Sequence, residues 1–257
     1  MAKQQAQRWK VRDNRIASLL TKQINRNKGQ AAATDPHFAD VSLLLHFDGT
    51  NGGTSFVDSS VNQIAVAGYG DASTSTGQSK FGGSSGDFTS GTGYLETAAD
   101  SSAILGNSDF TVEFWTWCQT VTGLGGFWLR ADTGQASEGL VIGIDETNGD
   151  GILISDGQGW AIASGNVFGP SMQDETWHHI VLAREADSWR AFCDGQLVWS
   201  DTSSISVSQP ASGAWRIGAA NQGNAGIPCY IDDFRLTVGH ARYAAAFTPS
   251  ESPFPNA

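Results

Sequence analysis

Residues 188–200 read SWRAFC-DG-QLVWS, two short runs of aromatic and aliphatic residues that meet at Asp194-Gly195. A two-residue link between antiparallel strands needs positive φ at both central positions, and Asp-Gly tolerates that. The stretch therefore predicts a tight hairpin with strands at 188–193 and 196–200. The same punctuation recurs along the chain, at Asp48-Gly49, Asn51-Gly52-Gly53, Asn148-Gly149 and Asp156-Gly157. Between these turns lie period-two patterns or short apolar runs. Strands are expected at 41–47, 64–67, 93–97, 110–118, 126–131, 139–144, 151–155, 159–163, 177–184, 213–218 and 228–237 as well. Thirteen short strands without an interior helix predict an all-β, two-sheet sandwich or jelly roll. In such a fold the first and last strands, 41–47 and 228–237, are expected to lie side by side.

Composition agrees with this reading. The chain has 257 residues, 31 of them Gly, with 16% charged and 40% hydrophobic, which is enough to bury a sizeable core. Lys, Glu and Leu are sparse, which argues against a helical bundle. No apolar run reaches the ~18 residues of a membrane span, and the first 30 residues lack an apolar signal core, so Sec-type secretion is not expected. Cys118, Cys193 and Cys229 are odd in number and lack metal-type spacing, which reads as buried thiols on strands.

Charge is unevenly distributed. Residues 1–30 hold eight Lys/Arg and one acid, a charge of +7, which leaves −18 on the rest of a chain whose total is −11. Good helix formers fill this arm until Gly29, and Trp9, Ile16, Leu19, Leu20 and Ile24 give a partial helical stripe. An isolated helix of this size gains its stability from what its apolar face packs against, so the arm is expected to dock on a partner. Nucleic-acid binding, a membrane-surface helix and a solvated terminus are the alternatives. Residues 30–40 read as a linker, so a basic arm is expected over 1–40 and a β-domain over 41–257.

One ordered series of motifs is more specific. It runs from LLLHFDG at 43–49 and FVDSS at 56–60 through FGGSS at 81–85, Tyr94-Leu95 and DFTVEFW at 109–115. It continues with WHHI at 177–180 and the Asp194-Gly195 hairpin, and closes with IDDFRLT at 231–237, ARY at 241–243 and FTP at 247–249. The series resembles the laminin-G-like, concanavalin A-like jelly rolls of phage tail and other virion proteins over about residues 41–255. The resemblance implies a two-sheet lectin-type sandwich used for recognition of glycans or proteins, or for structure, and some members hold calcium.

Glycosidases of this fold place two acids on one strand face, but Glu113 has no acidic partner at 115 or 117 and reads as a structural group bonded to neighbouring backbone. His178 and His179 are adjacent on a strand and point to opposite faces, so they cannot form one site. If the terminal strands are neighbours, Asp48 approaches Asp232 or Asp233, and such like charges call for a calcium ion or for pairing with Arg235. The acidic stretch 145–151 lacks calcium-loop spacing and reads as a hairpin turn. Of the nine Trp, Trp115, Trp117 and Trp177 are expected in the core, and Trp160, beside a Gly-rich turn, is the expected ligand contact.

These expectations combine into a non-enzymatic phage virion structural protein, a tail fibre, baseplate or decoration component assembled in the host cytoplasm. Its partners are other virion proteins through residues 1–35 and a host glycan, with a homo-oligomer raising weak sugar affinity. Nucleic acid and membrane are not expected partners, and a structural calcium is the one expected cofactor. The rival readings are a secreted or extracellular carbohydrate-binding lectin and a carbohydrate-active enzyme.

Overall fold

The computed structural model describes residues 34–120, 126–130, 140–145, 151–155, 169–207, 213–218 and 226–257. The arm with Trp9, Ile16, Leu19, Leu20 and Ile24 lies outside the described residues, as do Trp160 and the expected strand 159–163.

The described chain forms fourteen strands: β1 (Val41–Leu45), β2 (Val66–Tyr69), β3 (Ser73–Ser75), β4 (Ser85–Asp87), β5 (Tyr94–Thr97), β6 (Phe110–Cys118), β7 (Gly126–Arg130), β8 (Val141–Asp145), β9 (Gly151–Ser155), β10 (Trp177–Glu185), β11 (Ser188–Cys193), β12 (Gln196–Thr202), β13 (Arg216–Ile217) and β14 (Cys229–Val238). An eight-stranded sheet runs β12-β11-β10-β6-β14-β4-β3, with β1 also paired to β14, and a six-stranded sheet runs β2-β5-β13-β7-β8-β9. The two sheets enclose one large apolar cluster, so the sandwich is the observed architecture. No described helix is long and apolar enough to cross a membrane.

The sandwich follows from alternation along β6. Phe110, Val112, Phe114 and Cys118 enter the inter-sheet core, while Thr111, Glu113, Trp115 and Trp117 fall on the other face by the period of two. β14 would lose this alternation without its bulge. Asp232 pairs with Trp115 and Arg235 with Glu113, so Asp233 and Phe234 together oppose Phe114. Asp233 takes φ 50°, and the extra residue returns Phe234 and Leu236 to the core and turns Arg235 outward. The bulge also divides the strand's free edge, with β4 pairing to Tyr230 and Ile231 and β1 to Phe234–Thr237.

The expected hairpin is present: Cys193 pairs with Gln196, and Asp194 and Gly195 take φ of 50° and 76°. The expected neighbours β1 and β14 are paired. The three cysteines are buried and none is in a disulfide, and Cys118 lies opposite Cys229. β3 and β4 were not expected, because their Ser-, Gly- and Asp-rich sequences carry little strand propensity. Residues ahead of β1 also pack on the sandwich. Asp35 pairs with Arg235 and Arg242, its N–H donates to the Ala257 carbonyl, and Phe38 packs on Val41, Leu44 and Phe254.

Candidate functional site

The outer face of the eight-stranded sheet is organised in rows that cross the strands. One row is Arg190, Ala183, Thr111, Thr237 and Val41, and the next is Phe192, Val181, Glu113, Arg235 and Leu44. A third is His179, Trp115 and Asp232, and the last is Trp177, Trp117, Tyr230 and Asp87.

The first two rows are sealed apart from the half-buried Arg190 at the sheet edge. Tyr243 and Phe247 pack on Val181, Ala183 and Phe192, and Phe254 packs on Val41 and Leu44. Beneath them Glu113 Oε1 accepts from Arg235 Nε and Nη2 at 2.9 and 2.7 Å, and Glu113 Oε2 accepts from the Tyr243 hydroxyl at 2.8 Å. Asp35 accepts from Arg235 and from both terminal nitrogens of Arg242, so two carboxylates balance two guanidiniums. Burial works to raise the Glu113 carboxyl, but the charge of Arg235 and the neighbouring His179 hold it at about 2. Burial likewise raises Asp35, and its hydrogen bonds to Arg242 and to the His37 N–H outweigh it and lower the pKa. The expectation that Glu113 bonds to backbone is corrected: its partners are side chains. Arg235, expected beside Asp48, Asp232 or Asp233, serves Glu113 and Asp35 instead. Glu113 is thus a buried ionised group whose partners are Arg235 and Tyr243.

The third row is covered by the 79–81 loop. Asp232 Oδ2 accepts from the N–H groups of Lys80 and Phe81, which lays Lys80 Nζ over the Trp115 ring at 3.8 Å. Where the loop and the C-terminal segment stop, a cleft of about 470 Å³ opens between Lys80, Trp115, Trp177, Asp194, Ser250 and Glu251. Trp177 and Trp117 are half-buried and Trp115 is buried, all on the outer face, so their expected place in the core is corrected. The core is filled instead by Trp189 and Trp215, whose indole N–H groups donate to the carbonyls of Ser203 and Ala103.

His178, on the opposite face of β10 from His179 as expected, bonds to Asp194, which lines the cleft. Its Nδ1 lies 2.7 Å from Asp194 Oδ2, and its Nε2 lies 3.1 Å from both oxygens of Asp174. The bond to Asp194, aided by the Cys193 thiol, pushes its pKa up to about 11. His178, Cys193 and Asp194 are the one group of three or more metal-capable side chains gathered within 4.8 Å among the described residues.

The expected calcium ligands are not gathered in that way. Asp48 is exposed and lies against Gly82, while Asp233 accepts from His46 Nδ1 through one oxygen and from the Phe254 N–H through the other. Of these three carboxylates, Asp232 alone keeps a buried oxygen without a partner, its Oδ1. The side chains of Asp48 and Asp233 therefore serve the loops and the bulge. The cleft was missed in the sequence because its floor alternates with core residues on the same strands. The Lys80–Trp115 contact and the path of residues 249–251 join segments far apart in sequence, which no local pattern records.

A family model described as the Concanavalin A-like lectin/glucanases superfamily matches residues 89–239. Among solved structures, the binding domain of Paraclostridial Mosquitocidal Protein 1 is similar at a TM-score of 0.54 and 14% identity, over 83% of this chain and 50% of that one. The botulinum neurotoxin serotype D binding domain gives a TM-score of 0.55 at 12% identity, over 79% and 49%. Domain 4 of a GH43 extracellular arabinanase from Geobacillus stearothermophilus, in complex with arabinotriose, gives 0.52 at 16% identity, over 82% and 95%. The chain spans about half the length of the toxin binding domains it matches. No curated protein matches it in sequence.

Proposed function

This chain belongs to the concanavalin A-like lectin/glucanases superfamily, and from that premise we propose that it is a non-catalytic virion structural protein whose lectin-like body binds host-surface glycans. One observation carries the glycan reading. The sealed outer face of the larger sheet leaves open a cleft that offers an aromatic side chain, Trp177, next to an ammonium and two carboxylates, from Lys80, Asp194 and Glu251. Sugars are held by such sites, with a C–H face on an aromatic ring and hydroxyls on polar groups at the rim. The solved arabinanase domain carries arabinotriose on a body of similar fold.

The absence of chemistry in the proposal rests on Glu113. It is fully buried, ionised and clamped by Arg235, and has no second acid beside it on β6. Virion attachment rests on the motif series and on the +7 arm joined to a −18 body. The arm docks on acidic surfaces of other virion proteins through Trp9, Ile16, Leu19, Leu20 and Ile24 during assembly in the host cytoplasm. Several copies in one particle would raise weak sugar affinity by avidity.

Deleting residues 1–33 and counting copies in assembled particles tests the attachment. The proposal expects the truncated protein to be missing from particles while its melting temperature is unchanged. Incorporation at the normal level would overturn it.

A further inference from the structure

We propose that the row of the outer face that the described residues leave uncovered is a platform for a neutral oligosaccharide chain that lies across the strands, stacked on Trp177, Trp117 and Tyr230. This inference rests on the glycan reading above and adds the ligand class and its course over the surface. Trp177 pairs with Trp117 across β10 and β6, and Trp117 with Tyr230 across β6 and β14. The three side chains therefore stand side by side on three adjacent strands, each half-buried. The Trp117 and Tyr230 rings touch edge to face, 5.7 Å between centroids. Neighbouring strands are ~4.8 Å apart, so the row spans about 10 Å, a length suited to two or three successive sugar rings.

The surroundings favour a sugar chain over other occupants. On one side the row is walled by the Lys80–Phe81 loop. Its two ends carry carboxylates, Asp194 in the cleft beside Trp177 and Asp87 paired with Tyr230. Carboxylates accept from sugar hydroxyls, and the Lys80 ammonium over the Trp115 ring can donate to them. The body's charge of −18 repels anionic polysaccharides, which leaves neutral ones. A protein partner needs about 800 Å² on each side, and three half-buried aromatic side chains offer well under that.

The test uses the full-length chain on a printed array of neutral and anionic bacterial polysaccharide fragments of graded length. Trp117→Ala, Trp177→Ala and a control on the smaller sheet, Tyr69→Ala, are compared, with thermal melts confirming that each is folded. The expected result is binding of neutral fragments that strengthens up to about three sugars and then levels. Each Trp variant should weaken it at least about tenfold, while Tyr69→Ala leaves it unchanged. Should an Ala variant fail to fold, Trp117→Phe and Trp177→Phe assign the two indole N–H resonances, which must shift on saturation with a bound fragment. Undiminished binding by the folded Trp variants, or resonances that do not move, would overturn the platform and leave the glycan reading standing. Selection of anionic fragments would overturn the neutral ligand class. Binding of no fragment at all would overturn the glycan reading itself.

Discussion

Glu113 on β6 and Arg235 on β14 face each other across one strand gap, joined by hydrogen bonds of 2.9 and 2.7 Å at a site closed to water. The pair explains why the termini of the body are where they are. Asp35, from the N-terminal side, balances the charge of Arg235, and Tyr243 and Phe254, from the C-terminal side, cover the pair. The fold places these groups together only because the bulge at Asp233 turns Arg235 outward.

Glu113→Gln leaves Arg235 buried with half its partner charge and should cost about 3–5 kcal/mol of stability, read by urea unfolding. Acid titration carries the sign. The folded pKa of about 2 lies below the ordinary 4.5, so this stability is present above pH 4.5 and lost as pH falls toward 2. The variant should show a weaker decline over that window, and an identical decline would contradict the assignment.

Asp232 behaves in the opposite sense. Burial, and then the charge of Asp233, pushes its carboxyl up to about 7, and its Oδ1 has no partner. A folded-state pKa above the unfolded value gives stability that is full below pH 4 and declines as pH rises toward 7. Asp232→Asn, melted in the presence of a chelator, should remove that decline and gain on the order of 2–4 kcal/mol at pH 8. A loss of stability at pH 8 would contradict it. Calcium added to the unaltered protein offers a separate check, since a rise in melting temperature that Asp232→Asn abolishes would place a cation on the orphan oxygen.

Gly195 is the pivot between the hairpin and the C-terminal segment. It holds φ 76°, and a side chain there would collide with the Phe247 carbonyl, whose own N–H donates to the Gly195 carbonyl. Gly195→Ala should destabilise by on the order of 1–3 kcal/mol and loosen the segment. Faster proteolysis after residue 243 is the expected readout, and an unchanged digest would count against the pivot.

Phe254 lies 3.9 Å from the Arg235 guanidinium and fills the space over Val41 and Leu44. Phe254→Ala should cost about 3–5 kcal/mol and expose an apolar patch, seen as new binding of a hydrophobic dye. A melting temperature within error of the parent would show that the C-terminal strap adds little.

Much of the sandwich was legible in the sequence. Strands β6, β9 and β11 match their expected bounds, because strong alternation or clear turn chemistry brackets them. The Asp194-Gly195 hairpin was readable for the same reason. The site was less so. Period two assigns Trp115 and Trp117 to the face opposite Phe114, but it does not say which face is the core, and the large rings suggested the wrong one. The partners of Glu113 come from residues 235 and 243, a pairing created by the bulge, which hides in the plain sequence Asp232-Asp233.

The most direct measurement is calorimetric titration of the full chain with purified host-surface polysaccharide, followed by an assay for new reducing ends. A sugar-binding body that carries out no reaction predicts saturable heat and no new ends. Absence of binding to every polysaccharide offered, or the steady release of reducing ends, would contradict it.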